Sequence, residues 1–188
     1  GAQWFVSNDL ILSGAYSYTE AELTDDAPCL YAGGDVYLDG SDQIDLAACL
    51  ADPLDLQASA YDGDRLPGSP EHQGFLGLNY GMDLSDGTRL ELNWSLIYRG
   101  DVVTKTGKRN FGETLGDYTM QNASLTLTDE DLVMSLYVDN LFDEYAETGV
   151  RTDRSLIGMR GDFDLRRYYN DVLRPRQVGV RFVYNFGN

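Results

Sequence analysis

Arginine and tyrosine converge in one stretch of the chain. Arg151, Arg154, Arg160, Arg166 and Arg167 lie beside Tyr168 and Tyr169. Guanidinium forks and aromatic faces together suit a planar, anionic ligand, although the same arginines could instead pair with acidic residues of neighbouring loops. A second stretch has the opposite charge, with Asp35, Asp39, Asp42 and Asp45, then Asp62 and Asp64. Oxygen ligands at that density could hold calcium, but the spacing does not fit the regular calcium-binding loop, and a solvated acidic loop is the simpler reading. Cys29 and Cys49, 20 residues apart in the same segment, would staple it. Such a pair fits a disulfide formed in an oxidising compartment.

Catalysis finds no foothold. His72 is the only histidine, and beside Pro70 it reads as the first residue of a strand rather than as a base or ligand. Neither a Ser/His/Asp nor a Cys/His set can be built around it. No glycine-rich phosphate loop or zinc spacing occurs. The expectation is a protein without catalytic residues, metal or cofactor.

Composition bounds the scaffold that must carry these side chains. Among 188 residues there are 13 Tyr and 20 Gly, with 43% hydrophobic residues. That mixture favours strands over exposed helices. The net charge of −17 argues against nucleic acid, whose phosphates demand a basic surface. It fits solvated loops, or divalent cations bridging to anionic lipid headgroups. No run approaches the roughly 18 apolar residues of a transmembrane helix. A mean hydropathy typical of soluble chains does not exclude a membrane barrel, because alternating lipid-facing and lumen-facing residues average out. The chain opens on Gly1 without a charged and then apolar leader, so an upstream beginning is expected.

The period is two almost throughout. Leu90, Leu92, Trp94, Leu96 and Tyr98 share one face of a strand, against Arg89, Glu91, Asn93, Ser95 and Arg99, with Ile97 the apolar exception. Similar alternation runs through Leu10–Thr19, Leu76–Met82, Leu132–Asp139 and Gln177–Phe186, and a strand tail covers Gln3–Val6. From Tyr118 to Thr128 the phase slips, with Ala123, Leu125 and Leu127 out of step with Tyr118 and Met120; a bulge would reconcile them.

Connections alternate in length. Ser7-Asn8-Asp9, Ser85-Asp86-Gly87 and Asp129-Glu130-Asp131 are tight turns. Between them fall polar stretches of about 50 residues (Thr24 to Gln73), about 18 (Gly100 to Asp117) and about 32 (Asp143 to Arg174). Short periplasmic turns and long extracellular loops give outer-membrane barrels this rhythm. Compact soluble domains rarely carry loops so long, and have no reason to gather them at one end.

The run Val138-Asp139-Asn140-Leu141-Phe142-Asp143-Glu144-Tyr145 resembles the Asn-Leu-Phe-Asp-x-x-Tyr motif on the penultimate strand of TonB-dependent receptors. Arg174-Pro175-Arg176, followed by alternating residues to Phe186, resembles that family's last strand, here followed by Gly187 and Asn188. Leu66-Pro67-Gly68-Ser69-Pro70 is similar to the family's Leu-Pro-x-x-Pro segment. The resemblance implies an all-β, antiparallel, up-and-down transmembrane barrel of 22 strands in the outer membrane of a Gram-negative bacterium. Residues 1–188 would be its C-terminal segment of six to seven strands, without plug domain or coupling box. Expressed alone, an open sheet of this kind is expected to aggregate in water.

That resemblance further implies active import without covalent chemistry. Loops and plug bind a scarce nutrient, most commonly a ferric siderophore, and an inner-membrane energy-coupling complex pulls on the plug. Outer-membrane lipid and lipopolysaccharide would surround the wall. Glu91, Asn93, Arg99, Asp139 and Arg181 would face the lumen and plug, and the arginines and tyrosines of the last loop would meet the ligand. Two other readings are an outer-membrane barrel enzyme and a secreted, soluble β-sandwich binding module. The first needs a catalytic cluster on the rim, and the second needs the apolar face buried under another sheet.

Overall fold

The computed structural model describes residues 1–29, 47, 60–84, 87–107, 112–154 and 166–186, the side chains of 152–154 and 166–168 excepted. Its elements are all strands: β1 (Ala2–Phe5), β2 (Leu10–Tyr18), β3 (His72–Asp83), β4 (Arg89–Arg99), β5 (Val102–Val103), β6 (Thr114–Leu115), β7 (Tyr118–Asp129), β8 (Leu132–Asp139), β9 (Glu147–Arg154), β10 (Arg166–Val172) and β11 (Gln177–Tyr184). Seven of them form one antiparallel sheet in the order β1-β2-β3-β4-β7-β8-β11. Each strand of this sheet pairs with the next strand of the same sheet along the chain, which is an up-and-down meander.

Register turns the period-two pattern into two faces. Residues directly opposite on neighbouring strands share a face. One row therefore runs Trp4, Leu12, Leu78, Trp94, Ala123, Val138, Val178 across the whole sheet. The next runs Leu10, Tyr80, Leu92, Leu125, Leu136, Val180. On the opposite face, Gly81, Glu91, Thr126, Ser135 and Arg181 form one row, and Asn79, Asn93, Ser124, Tyr137 and Gly179 another, which Ile11 and Phe5 continue to the β1 edge.

The expected bulge in β7 is absent. β4 and β7 pair in unbroken register from Arg89↔Thr128 to Arg99↔Tyr118. Tyr118 and Met120 therefore sit on the polar face, and the change of phase is a change in the character of that face.

Turn chemistry explains the short connections. Ser7 Oγ accepts the Asp9 and Leu10 amides at 3.1 Å, closing the β1–β2 turn. Gly87 supplies the positive φ (83°) between β3 and β4. The longer connections contain structure that alternation alone did not reveal. β9 and β10 pair as a hairpin within the last of them, and β5 pairs β6 within the one before.

Contacts divide the chain into two units. The first comprises Gly1–Tyr18, His72–Gly100 and Gly116–Asn188, and the second Thr19–Glu71 and Asp101–Leu115. Within the second, Glu22 bridges Arg65 and Ala27 bridges Ala60. Arg65 binds Glu71 at 3.1 Å and Asp101 at 2.8 Å. Among the described residues, the buried hydrophobic side chains are Cys29, Ala60, Val102 and Leu115, all in this second unit. The strands of the seven-stranded sheet carry no buried hydrophobic side chain.

Candidate functional site

The polar face is furnished by hydrogen bonding between neighbouring strands. Asn79 Nδ2 donates to Asn93 Oδ1 at 2.5 Å, and Thr126 and Ser135 share a 3.0 Å hydroxyl bond. Arg89 reaches Asp83 at 2.6 Å and Glu91 at 3.1 Å. A hollow of about 540 Å³ lies over this wall, lined among others by Gln3, Ser13, Asn79, Asn93, Asn122 and Asp139. The register brings Glu91, Asn93, Arg99, Asp139 and Arg181 to this same face. Glycine makes room there for long side chains. The Tyr137 ring occupies the space a Cβ on Gly179 would need (Cε1 at 2.7 Å), and the Arg89 guanidinium does so at Gly81 (Cζ at 2.8 Å).

The arginine–tyrosine cluster falls on the β9–β10 hairpin rather than on irregular loop. Arg151 stands opposite Tyr169, Arg154 opposite Arg166, Asp153 opposite Arg167 and Thr152 opposite Tyr168. Arg151 forks onto Asp171, with Nη2 at 3.0 Å from Oδ1 and Nε at 3.3 Å from Oδ2. That hydrogen bonding, with the attraction of the carboxylate, raises the Arg151 pKa further. Tyr169 is exposed beside it. Arg160 and the side chains of Arg154, Arg166, Arg167 and Tyr168 lie outside the described residues.

The Asn-Leu-Phe-Asp run is a structural clamp, a role that motif resemblance did not supply. Asn140 is 2% exposed and adopts φ 53°, a left-handed conformation that asparagine tolerates better than most residues. Its Nδ2 donates to the Glu144 and Arg174 carbonyls, both at 2.9 Å, and its Oδ1 accepts the Glu144 amide at 2.8 Å. Asp143, at φ 58°, accepts the Arg176 amide at 2.8 Å. The Leu141 amide donates to the Gln121 carbonyl at 2.7 Å, tying the run to β7. Phe142, Tyr145 and Phe186 project, with Phe186 edge-on to Tyr184. A sequence signal for the clamp existed: two left-handed-tolerant residues, Asn140 and Asp143, at the end of a strand.

His72 does open β3. Its Nδ1 lies 2.7 Å from the Tyr16 hydroxyl, with the Tyr18 ring 5.2 Å away. Asp64 is engaged locally, accepting the Tyr61 amide at 2.7 Å. Asp35, Asp39, Asp42 and Asp45 lie outside the described residues, as does Cys49. Cys29 is buried, and no described cysteine is a free thiol.

A one-layer antiparallel meander, apolar on one face and polar on the other, with short and long connections alternating, defines the wall of an outer-membrane β-barrel. The family described as TonB dependent receptor-like, beta-barrel matches residues 1–141, and the chain belongs to it. That range takes in β1 to β8. No curated protein and no solved structure matches the chain. The family comprises transport receptors, not enzymes, of the Gram-negative outer membrane. Their transport depends on TonB, and they work with a plug domain, the TonB complex and small ligands.

Proposed function

We propose that the chain is an arc of barrel wall and part of the extracellular mouth of a receptor that imports a ferric siderophore. The observation that carries this reading is the single-layered, two-faced sheet. Leu92, Leu125, Leu136 and Val180 are exposed in one row, with no second sheet over them among the described residues. Hydrocarbon is the solvent that suits such a face, and the opposite row of Glu91, Thr126, Ser135 and Arg181 suits a hydrated lumen. A secreted sandwich would need those leucines covered. The edges β1 and β11 are open to pairing with further strands, as an arc of a larger barrel requires.

Orientation follows from connection length, with the turns at Ser7–Asp9 and Gly87 periplasmic and the β9–β10 hairpin extracellular. Glu91, Asn93, Arg99, Asp139 and Arg181 then contact the plug or the transport path. Arg151 and Tyr169, with Arg154, Arg160, Arg166, Arg167 and Tyr168, supply a cationic, aromatic mouth that suits catecholate oxygens around iron. Cys29 and Cys49 form a disulfide that staples the acidic connection, and lipopolysaccharide packs around the extracellular rim.

Uptake of radioiron as ferric tris-catecholate by iron-starved cells carrying only this receptor, in its full length, tests the reading. TonB-dependent accumulation is expected. Growth on cobalamin or oligosaccharide with no accumulation of iron would refute the siderophore assignment.

A further inference from the structure

The apolar face changes character toward the end from which the long connections leave. Its lower rows are built from Met82, Leu90, Leu127 and Met134, then Leu92, Leu125 and Leu136. Higher up, the row of Gly14, Leu76 and Leu96 ends on Gln121, and the next holds Tyr16, Gly74, Tyr98 and Thr119. Tyr18 and His72 stand opposite each other beyond it. A strand advances about 3.4 Å per residue, so Leu90 to Tyr98 covers about 27 Å, the height of an apolar band once the strand is tilted. Gln121 therefore lies just inside the outer boundary of hydrocarbon. Its Oε1 accepts the Trp94 indole N–H at 3.1 Å, and its Nε2 has no partner among the described residues. A polar group at that depth calls for a partner.

Tyrosines at a membrane boundary are common to barrels, but an empty glycine between two of them is not. Gly74 separates Tyr16 from Tyr98, and a Cβ built on it would meet only the Ala15 carbonyl oxygen, at 3.7 Å. At Gly81 and Gly179, by contrast, the Arg89 guanidinium and the Tyr137 ring take up the space. The result is a notch on the outer wall, flanked by two tyrosines, with Leu76 below it and His72 above on the same strand. The Tyr16 hydroxyl lies 2.7 Å from His72 Nδ1. With Nδ1 accepting that bond, Nε2 carries the ring proton and can donate it to an oxygen.

We infer that this notch docks one lipid of the outer leaflet, a phosphorylated glycolipid with amide-linked acyl chains. The inference rests on the wall and orientation of the uptake reading, not on its substrate. The notch is continuous with the rows already turned to hydrocarbon, so an acyl chain can run over Leu76 and Gly74 between the rings. The linkage groups of the lipid sit at the depth of Gln121 and Thr119. An ester there only accepts hydrogen bonds, whereas an amide also donates, and Gln121 can answer both through Nε2 and the second lone pair of Oε1. Above them, the sugar phosphate takes the His72 Nε2–H.

Native mass spectrometry of the full-length receptor, delipidated in detergent and titrated with bisphosphorylated lipid A, tests this. Each variant is first checked for assembly by its unheated gel mobility. Gly74→Leu fills the notch and meets no side chain within 4 Å of its Cβ. It and Gln121→Leu are each expected to weaken retention of lipid A by roughly tenfold, and His72→Ala by about fivefold. Leu92→Ala, lower on the same face, leaves retention unchanged. Dioleoyl phosphatidylglycerol should bind at least about tenfold more weakly, and inorganic phosphate should not compete. Unaltered retention in Gly74→Leu and Gln121→Leu, or no retention by the wild type, overturns the site. Equal retention of phosphatidylglycerol means ordinary annular lipid, and competition by inorganic phosphate means a simple anion site; each overturns it as well. All of these leave the uptake reading standing, because uptake of ferric tris-catecholate by Gly74→Leu cells is expected to equal that of the wild type. Absence of iron uptake with lipid A still retained removes the siderophore reading and leaves the lipid site.

Discussion

Asn140 and Arg174, 34 positions apart, are joined by a 2.9 Å hydrogen bond from the side-chain amide to the backbone carbonyl. The same Nδ2 also holds the Glu144 carbonyl, so one buried amide closes the base of the connection that carries the β9–β10 hairpin. β11 is thereby delivered to β8 in register, from Gln177↔Asp139 onward.

Asn140→Ala removes three side-chain hydrogen bonds and places alanine in a left-handed conformation. A loss of about 2–4 kcal/mol in the full receptor is expected, read as a lower urea midpoint for unfolding from vesicles. Asn140→Gly relieves the backbone term only and should recover about 1 kcal/mol of it. Equal loss in both variants would mean that the conformation itself matters little.

Tyr137 and Gly179 form a second pair that depends on the absence of a side chain. Gly179→Ala forces the ring aside and is expected to cost about 1–3 kcal/mol. In a Tyr137→Ala background the same substitution should be nearly neutral. A double-mutant cycle with no coupling would contradict the packing described.

Arg65 clamps Glu71 and Asp101 within the second unit. Arg65→Ala should expose Thr19–Glu71 to limited proteolysis in the full receptor, at a cost of about 1–3 kcal/mol. The hydrogen bond to Asp101 raises the Arg65 pKa above its unfolded value. Its contribution is therefore complete below the unfolded pKa and lost only as pH rises through the higher folded one. From about pH 6 to about pH 9 the arginine should add no pH dependence to protection. Arg151→Gln breaks only a pair exposed to water, and no change in protection is expected.

Much of the wall was legible because a different solvent on each face, hydrocarbon on one and water on the other, imposes a two-residue period. Leu90 to Tyr98 against Arg89 to Arg99 needed only alternation, and the register confirms both faces. The slip at Tyr118 and Met120 misled because phase was expected to be uniform along β7. In fact the polar face acquires an apolar row there, continuous with Ile97 and Phe75, and only cross-strand register reveals it. The β9–β10 hairpin stayed hidden because its run of Arg, Tyr, Thr and Asp shows no period-two alternation of apolar and polar residues. The role of Asn140 lies in a partner 34 residues away, which no local pattern encodes.

Substitutions on opposite faces of β4 should part company. Leu92→Arg places a charge toward hydrocarbon and is expected to destabilise the membrane-inserted receptor by about 2–4 kcal/mol. Asn93→Arg, one residue on, faces the lumen and should cost less than about 1 kcal/mol. Folding titrations into lipid vesicles measure both.

Alternation of environment along β4 is the most direct test of the membrane wall. Nitroxide labels placed singly from Leu92 to Leu96 in the full receptor, in bilayers, report collision with oxygen and with a water-soluble nickel chelate. Labels at Leu92, Trp94 and Leu96 should collide with oxygen and escape the chelate, while those at Asn93 and Ser95 show the reverse. Equal access of the chelate to both sets, or exclusion of both reagents from the leucine face, would contradict a lipid-facing sheet.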